Sequence, residues 1–372
     1  MAREGNGEVG PKSELLRTLV PSMPSADDLS PYLRRIDNAK WYSNFGPLSL
    51  ELTTRLAEHL GMQKDNVCLL GNATLGLQAV SELIADESEP TMEIPSFTFA
   101  ASAIAVAASK RKIMFIDVDD SFRSLPTENA TFVMDVLPFG AKPRYEDWMR
   151  QLKFLIIDGA ASFDALANFR ASFPQHINYA LVVSLHATKL IGAGEGGFVV
   201  SNNTELINNI KIWQNFGFNL NKLNSRSSVM LGTNAKMSEF SCAVGLASLD
   251  RWDRVKSGYQ AIQKKALDIS NKYGMGIHEA MKDRFVNPYW IIRPNTVEQT
   301  AAITRLCAEN KLETRLWWER GCHLMPAFSH YPRTELPNTE LIANTYLGLP
   351  FHLFLEEDYW TLMDQLLADA LE

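Results

Sequence analysis

The chain has 372 residues, 46% of them apolar and 21% charged, with a formal net charge of −7. That is the make-up of an ordinary globular protein, long enough for about two domains. The acidic balance, with both signs dispersed, argues against nucleic acid or an anionic membrane as a partner, because either would need a basic patch. A few local donors could still hold a phosphate.

The N-terminus, MAREGNGEVGPK, is charged and has no apolar stretch behind it, so residues 1–13 read as a loose arm and not a leader. The longest apolar run, 99–108, is about half of what a bilayer requires, which makes a cytoplasmic setting the default. Leu52, Leu56 and Leu60 share a helix face that Gly61 closes. Strand-like runs follow at 67–70, 91–95, 112–118, 131–136, 154–158, 180–185 and 197–201, with helical stretches between most of them, such as 74–84 and 99–109. Several runs are apolar without alternation, as strands covered on both faces are. The expectation is an α/β domain over 14–250 with a mostly parallel, seven-stranded sheet flanked by helices.

After about residue 235 the pattern changes. Helices are expected over 238–250 and 252–273, a strand at 287–295, a helix from the Thr296/Gln299 capping box to Asn310, and a last helix from about Glu356. These compose a smaller α+β domain, 251–372. Cys68, Cys242, Cys307 and Cys322 are scattered without CxxC spacing. They predict buried or incidental thiols, with no metal site and no disulfide framework.

Ligands in α/β sheets gather where strands give way to loops, and four strand ends hold unusual residues. GNATLG, Gly71–Gly76, sets small residues at a helix start. Free N–H groups and the helix dipole there suit an anion, with the Thr74 hydroxyl as a further donor; alone it would be a plain cap. PSFTF places Phe99 at a strand end, as core or as a surface for a flat ring. FLIID ends on Asp158. A carboxylate closing a buried strand needs a partner such as a cationic ring nitrogen, or its pKa rises and it turns neutral; the other reading is a helix cap.

SLHATK, Ser184–Lys189, follows another apolar strand. A lysine among apolar and small residues loses its proton more easily, and a neutral amine can condense with an aldehyde; alone, Lys189 would read as a surface lysine. Ser184 would donate to a phosphate. His186 is a packing residue or part of a substrate pocket. Gly192, Gly194 and Gly197 satisfy G-x-G-x-x-G but precede the strand GFVVS and open no helix. They are a loop that lets backbone approach a cofactor, not a dinucleotide fingerprint.

The order of these signals is more specific than any one of them. Phosphate turn, aromatic, Asp, Ser-x-x-x-x-Lys, then GEGG and a strand resembles the fold type I pyridoxal-phosphate enzymes. Within that group it resembles the DegT/DnrJ/EryC1/StrS sugar aminotransferase family. The resemblance runs from about residue 44 to the end and includes LGTNAKMSEFSCAVGLASL at 231–249 and LGLPFH at 347–352. It implies an aspartate-aminotransferase-like fold. It implies pyridoxal 5'-phosphate joined to Lys189 as a Schiff base, with pyridoxamine 5'-phosphate as the amino-carrying form. Asp158 would then meet the ring nitrogen, Ala73, Thr74 and Ser184 the phosphate, and Phe99 the ring face. Asn234 would reach the cofactor phosphate of a neighbouring subunit, which implies a homodimer with shared sites.

The family usually carries Gln or His three residues after the Asp, beside the ring hydroxyl, where this chain has Ala161. Trp317, Trp318 and His323 in RLWWERGCH either line a sugar pocket or belong to the small-domain core. The implied substrates are an amino donor, glutamate, and a nucleotide-linked keto-sugar, which becomes an amino-sugar. Two rivals are a pyridoxamine-dependent sugar dehydratase of the same fold, a group that has His in place of the lysine, and a non-catalytic ligand-binding homologue.

Overall fold

The computed structural model describes residues 15–84, 88, 91–219 and 227–371; the arm expected at 1–13 lies outside them. Seven strands form the first sheet: β1 (Val67–Leu70), β2 (Thr91–Pro95), β3 (Lys112–Ile116), β4 (Phe132–Val136), β5 (Phe154–Asp158), β6 (Tyr179–Ser184) and β7 (Gly197–Ser201). Their order is β1-β7-β6-β5-β4-β2-β3. The run from β6 to β3 is parallel, and β7 is antiparallel to both of its neighbours. This is the mostly parallel, seven-stranded sheet the sequence predicts.

The unbroken apolar runs have a direct cause, because alternate side chains enter different cores. Leu155, Ile157, Leu181, Val183 and Phe198 pack with residues of helices Pro47–Leu60 and Glu239–Asp250 on one face. Phe154, Ile156, Ala180, Val182 and Val199 pack with helices Ala73–Leu83 and Ala100–Ala108 on the other. All four cysteines are free and buried. β3 stops short of the expected Val118 because Asp117 leaves the strand. Its carboxylate accepts from the Asn338 and Thr339 N–H groups at 3.0 and 2.8 Å, holding the start of helix Pro337–Thr345.

Arg123 and Asp135 form an ion pair with both side chains buried. Removing one partner strands the other's charge in the interior, which costs about 3–5 kcal/mol. Arg123→Ala is therefore expected to lower unfolding free energy by that amount in urea denaturation. A loss below about 1 kcal/mol, the worth of an exposed pair, would contradict the burial argument.

The second sheet contains β8 (Gly276–Ile277), β9 (Trp290–Arg293), β10 (Arg315–Leu316) and β11 (Leu347–Leu349), in the antiparallel order β10-β11-β9-β8. Helices Trp252–Lys272, Val297–Glu309 and Glu357–Leu371 accompany it. β9 is shorter than the run at 287–295 because Asn287 is committed elsewhere. Its N–H donates to Gln263 Oε1 at 3.0 Å, and its side-chain oxygen accepts from the Tyr289 N–H at 2.8 Å. The expected capping box is displaced by one residue: Thr296 Oγ1 accepts from the Gln299 N–H, but Gln299 Oε1 accepts from the Asn295 N–H.

Helix Ala26–Ala39 was not anticipated, since Pro31 inside it reads as a breaker. A Ser25/Asp28 capping box starts it, and Tyr32 and Ile36, one turn apart, bury one face. Residues 16–18, placed by sequence in the first domain, run along the second sheet's elements. Leu16 bridges Leu312, Thr18 Oγ1 donates to Glu313 Oε2 at 2.8 Å, and the Phe351 N–H donates to Thr18 O at 2.9 Å. Among the described residues no helix is long and apolar enough to cross a membrane.

Candidate active site

A cavity of about 410 Å³ opens where β4, β5 and β6 end, the crevice in which ligands of open α/β sheets bind. Beyond β1, Asn72 caps helix Ala73–Leu83. Its side chain accepts from the Leu75 N–H at 2.9 Å and its carbonyl from the Gly76 N–H at 3.3 Å. The Ala73 and Thr74 N–H groups, earlier in the turn, have no acceptor within their own helix, and both residues line the cavity. A Cβ on Gly197 would stand 2.5 Å from Ala73 N. The glycine that opens β7 is thus required for β7 to back this helix start. The loop glycine expected to approach a ligand instead supports the residues that would.

Ser184 closes β6 and lines the same cavity. Its Oγ accepts from the His186 N–H at 3.2 Å, leaving the hydroxyl proton free to donate. Phe99 is 61% exposed on the cavity wall at the N-cap of helix Ala100–Ala108, a large apolar ring suited to a flat partner.

Asp158 is buried at the end of β5. Burial pushes its pKa above the ordinary carboxylate value, against hydrogen bonds from Ser102 Oγ at 2.8 Å and the Ala160 N–H at 3.2 Å and against the charge of Lys189. Such a carboxylate is stabilised by a cation brought into the cavity. Lys189 lies on the turn after β6, held by hydrogen bonds from the Lys189 N–H to His186 O and from the Ala187 N–H to Gly194 O, both 2.9 Å. Its Nζ donates to the Tyr289 hydroxyl at 3.1 Å. His186 lines the cavity, with Nδ1 2.9 Å from Thr188 Oγ1 and Nε2 3.7 Å from the Glu195 carboxylate.

Ala161 also lines the cavity but offers no polar side chain, and the Ser162 hydroxyl donates to Leu137 O at 3.3 Å. The far wall is aromatic. Phe139 stacks on Trp318 with ring centres 5.0 Å apart, and Trp317 meets Phe139 and Tyr289 edge-on. Both tryptophans face the cavity. His323 does not line it: the ring is buried, with Nδ1 2.6 Å from Ser96 Oγ. Asn234 is exposed outside its own chain's cavity, and its side-chain oxygen accepts from Lys236 Nζ at 2.6 Å.

Four residues were not anticipated. Ser102 reads as a small residue in an Ala-rich helix, Tyr289 as part of a strand, and Arg315, paired with Glu313 at 3.0 Å, as surface charge. Phe139 reaches the wall through a left-handed backbone, φ 55°, for which the sequence offers no signal beyond the adjacent Pro138 and Gly140. Together the cavity offers a buried acid, an amine, an aromatic face and free helix N–H groups. That set can hold a flat cation carrying an aldehyde and a phosphate.

The sequence pattern of the DegT/DnrJ/EryC1/StrS aminotransferase family matches residues 25–132 and 155–365. The chain belongs to that family. Protein Rv3402c of Mycobacterium tuberculosis is 30% identical over 95% of this chain and 89% of its own length. The dTDP-4-amino-4,6-dideoxy-D-glucose transaminase of Shigella dysenteriae is 25% identical over 91% and 94%. Among solved structures, that of DesI in the presence of its TDP-sugar product superposes with a TM-score of 0.81 at 27% identity, covering 95% of this chain and 93% of its own. A Bacillus cereus protein classed as a PLP-dependent aminotransferase superposes with a TM-score of 0.83 at 26% identity, covering 96% and 100%. Family membership and these superpositions place the fold among the fold type I aminotransferases.

Proposed function

We propose that the chain is a pyridoxal-phosphate-dependent aminotransferase that moves an amino group from glutamate to a nucleotide-linked keto-sugar. The observation that carries this reading is the convergence of Lys189 and Asp158 on one cavity whose third wall is an open helix N-terminus. The residues fit the cofactor. Buried Asp158 lacks a full counter-charge for a ring nitrogen to supply, and the Ala73 and Thr74 N–H groups with the Thr74 and Ser184 hydroxyls form a phosphate cradle. Phe99 would cover one ring face. When bound, the cofactor supplies an aldehyde for the amine and a ring that withdraws electrons from the bond being broken.

Lys189 Nζ would hold that aldehyde. Freed from it by the donor's amine, the Lys189 amine would serve as the base that takes the proton from the donor's α-carbon. Tyr289 OH steadies Nζ meanwhile. Asp158 would hold the ring nitrogen in its protonated form, the form that draws electrons. Once the donor's keto acid had left, the keto-sugar would meet the same groups, with the Lys189 amine returning the proton to the sugar carbon. Trp317, Trp318 and Arg315 would face it from the aromatic wall, where His186 and Glu195 mark the rim. Asn234, outside its own cavity, would serve the cavity of a second copy, giving a homodimer with shared sites.

The nucleotide-sugar assignment draws support from the Shigella relative, a dTDP-sugar transaminase, and from the TDP-sugar product of DesI. The test is optical. Purified protein with pyridoxal phosphate should show a visible band, glutamate should bleach it, and one of a panel of dTDP-, UDP- or GDP-linked keto-sugars should restore it. No band would sink the cofactor assignment. Bleaching without restoration by any sugar would sink the acceptor assignment alone.

A further inference from the structure

Beside Asp158 a short chain of hydroxyls runs through Ser102 to Thr98, which also lines the cavity. Ser102, on helix Ala100–Ala108, is fully buried, and its Oγ donates to Asp158 Oδ2 at 2.8 Å. A serine hydroxyl carries one proton. At its other contact, Thr98 Oγ1 at 2.8 Å, Ser102 must therefore accept and Thr98 must donate. Thr98 is buried too. The outcome is a directed relay of neutral hydroxyls, Thr98 to Ser102 to Asp158. It occupies Oδ2 and leaves Oδ1 with the longer 3.2 Å contact to the Ala160 N–H. The proposed chemistry assigns no part to either hydroxyl.

We infer that Ser102, aligned by Thr98, is a positioning residue that keeps Asp158 ionised and turned so that Oδ1 is offered to a cationic ring nitrogen. This rests on the cofactor reading above. The strands beside β5 present only Val136 and Val182 opposite Asp158, so the carboxylate has no ion-pair partner within the sheet. In such surroundings it tends to take up a proton and lose its attraction for the ring. Burial pushes its pKa up; the Ser102 hydrogen bond is the first of the influences opposing that, ahead of the Ala160 N–H and the charge of Lys189. The cavity's other titratable side chains are His186, Glu195, Tyr289 and Arg315.

The experiment uses the full-length protein as wild type, Ser102→Ala, Ser102→Thr and Thr98→Val. Dissociation constants for pyridoxal phosphate, and for its 1-deaza analogue with CH in place of the ring nitrogen, are measured by absorbance across the acid-to-neutral range. In Ser102→Ala the Asp158 pKa rises further, so the acid limb of pyridoxal-phosphate binding should move to higher pH. Affinity at neutral pH should fall about tenfold or more, the usual consequence of losing a hydrogen bond to a charged group. Affinity for the deaza analogue should stay level. Ser102→Thr should restore the profile, and Thr98→Val should shift it less in the same direction. Equal losses for both ligands would reduce Ser102 to packing, and unchanged binding would also overturn the inference. If wild-type protein binds neither ligand, the cofactor reading itself fails and takes this inference with it.

Discussion

Lys189→Ala should lower the rate of amino transfer by roughly four orders of magnitude, the upper range for losing a positioned proton-transfer group. On the proposed reading two functions would end together, because the same Nζ would anchor the cofactor's aldehyde and move the substrate proton. The visible band should vanish even when pyridoxal phosphate is in excess. The fold should be little affected. Lys189 lies on a turn held by backbone hydrogen bonds, and among the described residues its Nζ has one hydrogen-bond partner, Tyr289 OH, so the melting temperature should stay close to that of wild type without cofactor. Small primary amines added to the variant should return part of the activity by substituting for the missing nitrogen. A variant that still turns over at a tenth of the normal rate would remove Lys189 from the chemistry.

Asp158→Asn should weaken the cofactor complex while strengthening the empty protein. The sign follows from burial, which raises the Asp158 pKa in the folded state. Between its unfolded and folded pKa values the folded chain binds the extra proton. The apoprotein's stability therefore falls as pH rises through that window, and the full penalty remains above it. Asparagine has nearly the same shape and no charge. Apo Asp158→Asn should thus melt above apo wild type at neutral pH, with the gap closing as the pH drops below the ordinary carboxylate range. Cofactor affinity should move the other way, by about a hundredfold or more, since breaking a buried ion pair costs about 3–5 kcal/mol. Melting curves across pH and absorbance titrations measure the two effects separately. An apo variant that melts lower at neutral pH would show that the carboxylate is not paying a desolvation cost.

The residues that could be read in the sequence share one property: their significance is local. Asp158 and Ser184 terminate apolar runs, Ala73 and Thr74 follow a strand and open a helix, and Lys189 sits a fixed step past Ser184. Strand period and helix caps are short-range patterns, so the first sheet and these positions were within reach. Ser102 gains its meaning from Asp158, far along the chain, and Tyr289 from Lys189. No pattern of neighbours marks either one. His323, read as either a pocket residue or small-domain core, is seated inside by its pairing with Ser96. The run at 112–118 overreached because strand propensity does not reveal that Asp117 is needed to hold another helix. Ala161 marks a family position without its usual polar group, and the Tyr289 hydroxyl, contributed from beside the second sheet, is a polar side chain on the same cavity.

The cavity is assembled from two separately built halves. Asp158, Ser184 and Lys189 come from the ends of β5 and β6 and the turn after β6. Arg315, Trp317 and Trp318 arrive from β10 and the loop behind it. β10 is a two-residue strand at the border of its sheet, with one neighbour, β11. Substitutions there can reshape what the pocket accepts while the amine and carboxylate keep their settings. Divergence toward new acceptors would then concentrate on that short border strand, so that one transfer chemistry could be fitted to many sugars without being rebuilt.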